Sequence, residues 1–137
     1  MYLVLSLDTL PDGLPLFSKF VRSIESGIVG LVASSVLEYE NSRNPYPLKQ
    51  EAMNRYLQMA EARQIVNEAI RQRSEELGHN GLKAVDALHV ACAEVLRSDY
   101  FITCDKRLIN RCARLMLKVV NPVDFVLEVN GDDQSQE

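Results

Sequence analysis

Two carboxylates, Asp86 and Asp105, sit beside neighbouring apolar segments in residues 83–105, and further acids, Asp8 and the pair Glu38 and Glu40, follow earlier apolar runs. Carboxylates gathered within a few ångströms repel one another and lose hydration, so they stay ionised only with a cation among them. An all-oxygen acidic site of that kind suits Mg²⁺ or Mn²⁺, which retain waters and bridge to substrate phosphate. Such a centre can generate a hydroxide nucleophile and neutralise charge on a phosphate during in-line displacement. The reading requires acids that are far apart in sequence to meet in space.

Each acid also has an ordinary use. Asp105 would cap a helix beginning at Lys106, and Asp86 would complement the dipole of its own helix. Asp8 would serve as a turn residue ahead of Pro11. Glu38 and Glu40 stand two apart, so on a helix only one of them aims at a shared site. His79 falls in a loop beside Gly78, and His89 follows Asp86 by about one helical turn. A packed, hydrogen-bonded histidine is the reading at 89, since no third group completes a catalytic set. A Gly-x-Ser-x-Gly nucleophile signature and a phosphate-cradling glycine loop are both absent.

Short apolar runs at 2–7, 28–33, 100–103 and 117–120 predict strands, continuous rather than alternating, as in a sheet covered on both faces. Leu10-Pro11-Asp12-Gly13 is turn chemistry, and Leu16, Phe17, Phe20, Val21 and Ile24 follow helical spacing up to Gly27. Ser34 or Ser35 can cap a short helix ending near Asn44-Pro45. Helices are further predicted over 48–62, from an Asn67 cap to Leu77, from 82 to about 97, over 106–115, and over 123–128. Strands alternating with helices imply a three-layer α/β/α fold with a mostly parallel central sheet and right-handed crossovers. Asp8, the 34–40 segment and Asp105 then lie just past the carboxyl ends of strands, where open α/β sheets build their sites.

The 137 residues read as a single domain over 1–129 with an acidic, disordered tail over 130–137. With 47% apolar and 25% charged residues the chain has the mix of a folded globular domain. No apolar run approaches the roughly 20 residues of a membrane span, and the opening segment lacks the basic flank of a secretory signal. Cys92, Cys104 and Cys112 have neither an even count nor CxxC spacing, which points to a reducing cytoplasm. The net charge of −4 speaks against a polyanionic partner, but Asp132, Asp133 and Glu137 account for three of those charges and leave the body at −1. Lys106, Arg107, Arg111, Arg114 and Lys118 follow the second acid, either as positive charge beside a site or as a solvated helix face.

Lys83-Ala-Val-Asp86-Ala-Leu-His-Val-Ala and Tyr100-Phe-Ile-Thr-Cys-Asp105-Lys-Arg-Leu resemble the helix start and the strand-Thr-x-Asp segment of PIN-domain nucleases, the family that includes the VapC toxins. Leu-Lys-Val-Val-Asn-Pro-Val-Asp-Phe is similar to that family's closing strand and helix, and Ser34-Ser35-Val-Leu-Glu-Tyr-Glu40 to the segment bearing its metal-binding glutamate. The likeness covers about residues 28–127, and the spacing from the serine favours Glu40 over Glu38. At the N-terminus Leu7-Asp8-Thr9 matches the family's Leu-Asp-Thr, whereas Leu10 replaces an Asn and Pro11 breaks the following apolar stretch. The span from Asp8 to Glu38 and Glu40 is short for the family.

The resemblance implies an acidic pocket of Asp86, Asp105, Glu40 and Asp8 that binds Mg²⁺ or Mn²⁺ and hydrolyses RNA phosphodiesters. In it Thr103 would orient a carboxylate or a water, and Lys106, Arg107 and Arg43 would contact substrate phosphates. It further implies a homodimer and an antitoxin partner that blocks the pocket. The alternative is a catalytically degenerate PIN domain that serves as a binding or scaffold module, should Asp8 fail to reach the site.

Overall fold

The computed structural model describes residues 1–9, 22, 26–27 and 29–135, with side chains through 128. The turn and helix expected over 10–24 lie outside the described residues. The strands are β1 (Tyr2–Leu5), β2 (Gly30–Ser34), β3 (Ala62–Gln64), β4 (Tyr100–Ile102) and β5 (Lys118–Val120). The helices are α1 (Ser35–Ser42), α2 (Pro47–Met59), α3 (Glu68–His79), α4 (Ala84–Val95), α5 (Lys106–Arg111) and α6 (Pro122–Ser135). All strand pairs are parallel, in the order β3-β2-β1-β4-β5, so β1 is the central strand.

Alternate strand residues go to opposite faces, and the two cores sort by that rule. Val4, Val32, Phe101 and Val119 join Ile70, Leu77, Val90 and Leu108 in one core. Leu3, Leu5, Leu31, Tyr100 and Ile102 join Met53, Tyr56 and Phe125 in the other. Helices α3, α4 and α5 therefore cover one face, with α2 and α6 on the other. Helix α1 serves both, sending Val36 to the first core and Leu37 to the second. It thereby sits across the carboxyl edge of the sheet.

Local signals set most helix starts. Ser34 Oγ accepts from the Leu37 amide at 3.2 Å, and Asn67 Oδ1 from the Ile70 amide at 2.9 Å. Pro47 opens α2, where a missing amide costs nothing. Gly81, at φ +99°, turns the chain from α3 into α4, and its carbonyl accepts a hydrogen bond from the Arg111 guanidinium.

Several boundaries differ from the sequence reading. The helix expected over 48–62 stops at Met59, because Ala60 turns extended and the Glu61 amide donates to the Leu31 carbonyl at 2.8 Å. Ala62–Gln64 then pairs with β2 as an edge strand. Its residues, Ala-Arg-Gln, are largely exposed and carry no apolar pattern, so only the pairing creates the strand. Helix α5 ends at Arg111 rather than 115, and α6 continues past Glu128 through Ser135. Among the described residues no helix is long and apolar enough to cross a membrane.

Phe101, fully buried on β4 beside the central strand, tests this packing. Phe101→Ala is expected to cost about 3–5 kcal/mol in urea unfolding. Met116→Ala, at a fully exposed side chain, should stay within about 0.5 kcal/mol of the parent. Equal effects of the two would contradict the core assignment.

Candidate active site

Strand β1 ends in a 3-10 turn, Leu7–Thr9, tied by the Thr9 amide and hydroxyl donating to the Ser6 carbonyl at 3.1 and 2.7 Å. This turn holds Asp8 at the carboxyl edge of the central strand. From the adjacent β4, the buried Thr103 hydroxyl donates to Asp8 Oδ2 at 2.9 Å, and the Cys104 amide donates to Asp8 Oδ1 at 3.1 Å. The Thr103 oxygen in turn accepts the Asp105 amide at 3.1 Å. One hydroxyl thus links the segments bearing two of the predicted acids, 97 positions apart, with its proton direction fixed by the amide on its other side.

Asp105 performs the capping role as well. Its Oδ1 accepts from the Arg107 and Leu108 amides at 3.0 and 3.3 Å, while Oδ2 takes no part in those bonds. Capping and site membership are therefore compatible at this residue.

Asp86 lies half-buried in the first turn of α4. Burial holds its carboxyl above the ordinary carboxylate range, and the negative charge of Asp105 pushes it further. His89 opposes that shift, Glu40 adds to it, and Lys83 opposes it. Asp86 therefore feels Asp105 and Glu40 together, although they arrive on three different helices or loops.

Glu40 and Glu38 leave α1 in different directions. Glu40 Oε1 accepts a hydrogen bond from His89 Nε2 on α4. Glu38 pairs with Arg63 on the edge strand β3. The geometry puts Glu40, and not Glu38, with the acids of α4. His89 is buried, bonded to Glu40 and packed against Phe101 at 6.2 Å between ring centroids. It is the packed, satisfied histidine that its position suggested, with a partner the sequence could not name. His79, at the end of α3, is exposed.

The basic residues converge less. Lys106 and Arg107 are exposed at the start of α5 beside Asp105. Arg111 is turned to the Gly81 carbonyl, and Lys118 pairs with Glu128 at 2.6 Å. Arg43 lies over Tyr39. Among the described residues, no three of His, Cys, Asp and Glu form a group that could hold a metal ion by themselves. The three cysteines form no disulfide, and burial pushes the thiols of Cys92 and Cys112 up to about 11.

The family profile of the PIN domain matches residues 7–115, well over half of the chain. The chain belongs to the PIN domain family. Among curated proteins none matches the chain. In fold it is similar to VapBC2 from Rickettsia felis, in a crystal structure bound to a DNA fragment from their promoter, at 14% identity and TM-score 0.57. That match covers 88% of this chain and 98% of the neighbour. FitAcB from Neisseria gonorrhoeae matches at 14% identity and TM-score 0.57, over 88% and 97% of the two chains. VapBC-1 from nontypeable Haemophilus influenzae matches at 14% and 0.58, over 90% and 99%. At such identity these likenesses establish a shared PIN fold and nothing finer.

The raised Asp86 carboxyl sets a pH test. A folded pKa above the unfolded one means that the native state holds the proton longer, so the contribution of Asp86 to stability is greatest in acid and is lost as pH rises through the folded value. Without divalent cations, Asp86→Asn should raise the melting temperature at pH 7, and the gain should vanish by roughly pH 3. A loss of stability at pH 7 would contradict the electrostatic picture.

Proposed function

We propose that this PIN domain is a Mg²⁺- or Mn²⁺-dependent endoribonuclease that hydrolyses RNA phosphodiester bonds as the toxin of a cytoplasmic toxin–antitoxin pair. The observation that carries the reading is the Asp8–Thr103–Asp105 hydrogen-bonded link, with Asp86 near enough to feel the charge of both Asp105 and Glu40. PIN proteins are usually nucleases, which supports the reaction class.

The donor set fits a hard divalent cation. All four carboxylates offer oxygen, and a cation that keeps several waters needs only one or two direct carboxylates. Asp86 and Asp105 would hold it, with Glu40 and Asp8 acting through water. When bound, the ion supplies a water of lowered pKa and neutralises charge on the phosphate. The chain's own contribution is orientation. Thr103 holds the Asp8 carboxylate by donation, and the helix-capping bonds fix Asp105. The His89 imidazole donates to Glu40 and holds its carboxylate toward α4.

A partner antitoxin is supported by an apolar groove of about 750 Å³ that opens beside Glu40 and is lined by Val36, Val66, Leu82, Val85 and Leu88. An apolar partner segment lying there would reach the acidic edge. The second reading, a degenerate PIN domain acting as a scaffold, is favoured by the lack of a ready-made three-ligand group among the described residues. It predicts no cleavage and no metal-dependent stabilisation.

Cleavage of single-stranded RNA with Mg²⁺ or Mn²⁺ at fixed salt separates the two. Asp86→Asn and Asp105→Asn should each lower kcat/KM on the order of 100-fold and abolish the rise in melting temperature produced by Mn²⁺. Glu40→Gln should be impaired, while Glu38→Gln stays near the parent. Undiminished cleavage in both aspartate variants would remove the assignment.

A further inference from the structure

The corner between α1 and α2 carries aromatic and basic side chains next to Glu40. Tyr39 and Tyr46 are 62% and 61% exposed. The Arg43 guanidinium stands 5.7 Å from the Tyr39 ring centroid and donates to its hydroxyl at 3.3 Å. The Lys49 ammonium stands 5.1 Å from the Tyr46 centroid. Arg43 is the C-cap of α1, three residues after Glu40. One ring face with its cation thus lies directly beside a carboxylate of the acidic site, and a second such pair stands at the start of α2.

The scaffold under these side chains is a network of amide hydrogen bonds around one buried asparagine. Asn41, 1% exposed, donates through Nδ2 to the Gln50 carbonyl at 3.1 Å and to Asn54 Oδ1 at 2.9 Å. Gln50 Nε2 donates back to the Asn41 and Ser42 carbonyls at 2.9 and 3.3 Å. The Tyr46 amide donates to Asn44 Oδ1 at 3.1 Å. Such cross-linking fixes the backbone of the corner, so rings carried on it would meet a ligand with little ordering cost.

Exposed ring faces paired with cations match the chemistry of an unpaired polynucleotide. Each base offers a π-face to stack, each phosphate a charge for a neighbouring cation, and neither requires sequence readout. We propose that the α1–α2 corner is a single-stranded RNA subsite, with bases stacking on Tyr39 and Tyr46 and phosphates paired to Arg43 and Lys49. On binding, the cations exchange their ring contacts for phosphate contacts. The corner leads the strand toward Glu40, which gives the ribonuclease reading, on which this subsite rests, a substrate path.

The test uses the full chain carrying Asp86→Asn, to prevent cleavage, and a short labelled single-stranded RNA followed by anisotropy. Tyrosine emission gives a second signal, since the chain has five tyrosines and no tryptophan. Tyr39→Ala and Tyr46→Ala should each weaken binding roughly tenfold, Tyr39→Phe should bind as the parent, and a duplex of the same sequence should bind more weakly. Arg43→Ala and Lys49→Ala should each flatten the salt dependence by about 0.7 in log–log slope. Tyr39, Arg43 and Tyr46 are surface residues, so these changes leave the cores intact. Unchanged affinity in both tyrosine-to-alanine variants overturns the subsite, as does equal binding of the duplex. RNA binding that survives those substitutions while a protein partner is lost also overturns it and makes the corner a protein-docking face. A Mn²⁺ shift in the parent without oligonucleotide binding overturns the subsite alone. Ring-dependent binding without a Mn²⁺ shift supports it and sinks the nuclease reading.

Discussion

Burying a carboxylate close to other acids is the constraint around which the acidic edge of this structure is arranged. Asp86 sits half-buried within the fields of Asp105 and Glu40, and its carboxyl is raised first by burial and then by the charge of Asp105. A fold gains nothing in stability from such a placement. The surroundings make it tolerable: Thr103 donates to Asp8, backbone amides cap Asp105, and an imidazole donates to Glu40. Each of these bonds satisfies one charge and at the same time fixes its direction.

The sheet explains why the acids meet at all. A parallel sheet covered on both faces buries its inner strands, and their carboxyl ends remain open to hold polar groups. Asp8 follows β1, α1 follows β2, and Thr103 follows β4, in neighbouring strands of the order β2-β1-β4. Because α1 feeds consecutive residues, Val36 and Leu37, to opposite cores, its rotation is set by packing on two sides. That rotation sends Glu40 to His89 and Glu38 to Arg63.

The same helix also gathers the features around the acidic edge. One flank of α1 borders the apolar groove against α3 and α4, while its end carries the tyrosine and arginine of the corner. Tyr39 and Glu40 border the groove as well as the corner, so one short helix relates the acids to two adjoining surfaces. The amides of Asn41, Gln50 and Asn54 hold that relation by fastening α1 to α2.

The sequence by itself determined the parallel α/β architecture, because continuous apolar strands and capped helices are local patterns written in Leu3, Val32, Phe101, Ser34 and Asn67. It also singled out Asp86 and Asp105, whose flanking segments match family motifs, and the PIN assignment stands on the whole matched span. It could not produce β3, an edge strand of Ala-Arg-Gln whose only signal is the partner it bonds. Nor could it choose between Glu38 and Glu40 from physics, say whether Asp8 comes near Thr103, or find His89's partner. Those outcomes depend on contacts between residues dozens of positions apart, and through-space distance and burial exist only once the chain has packed.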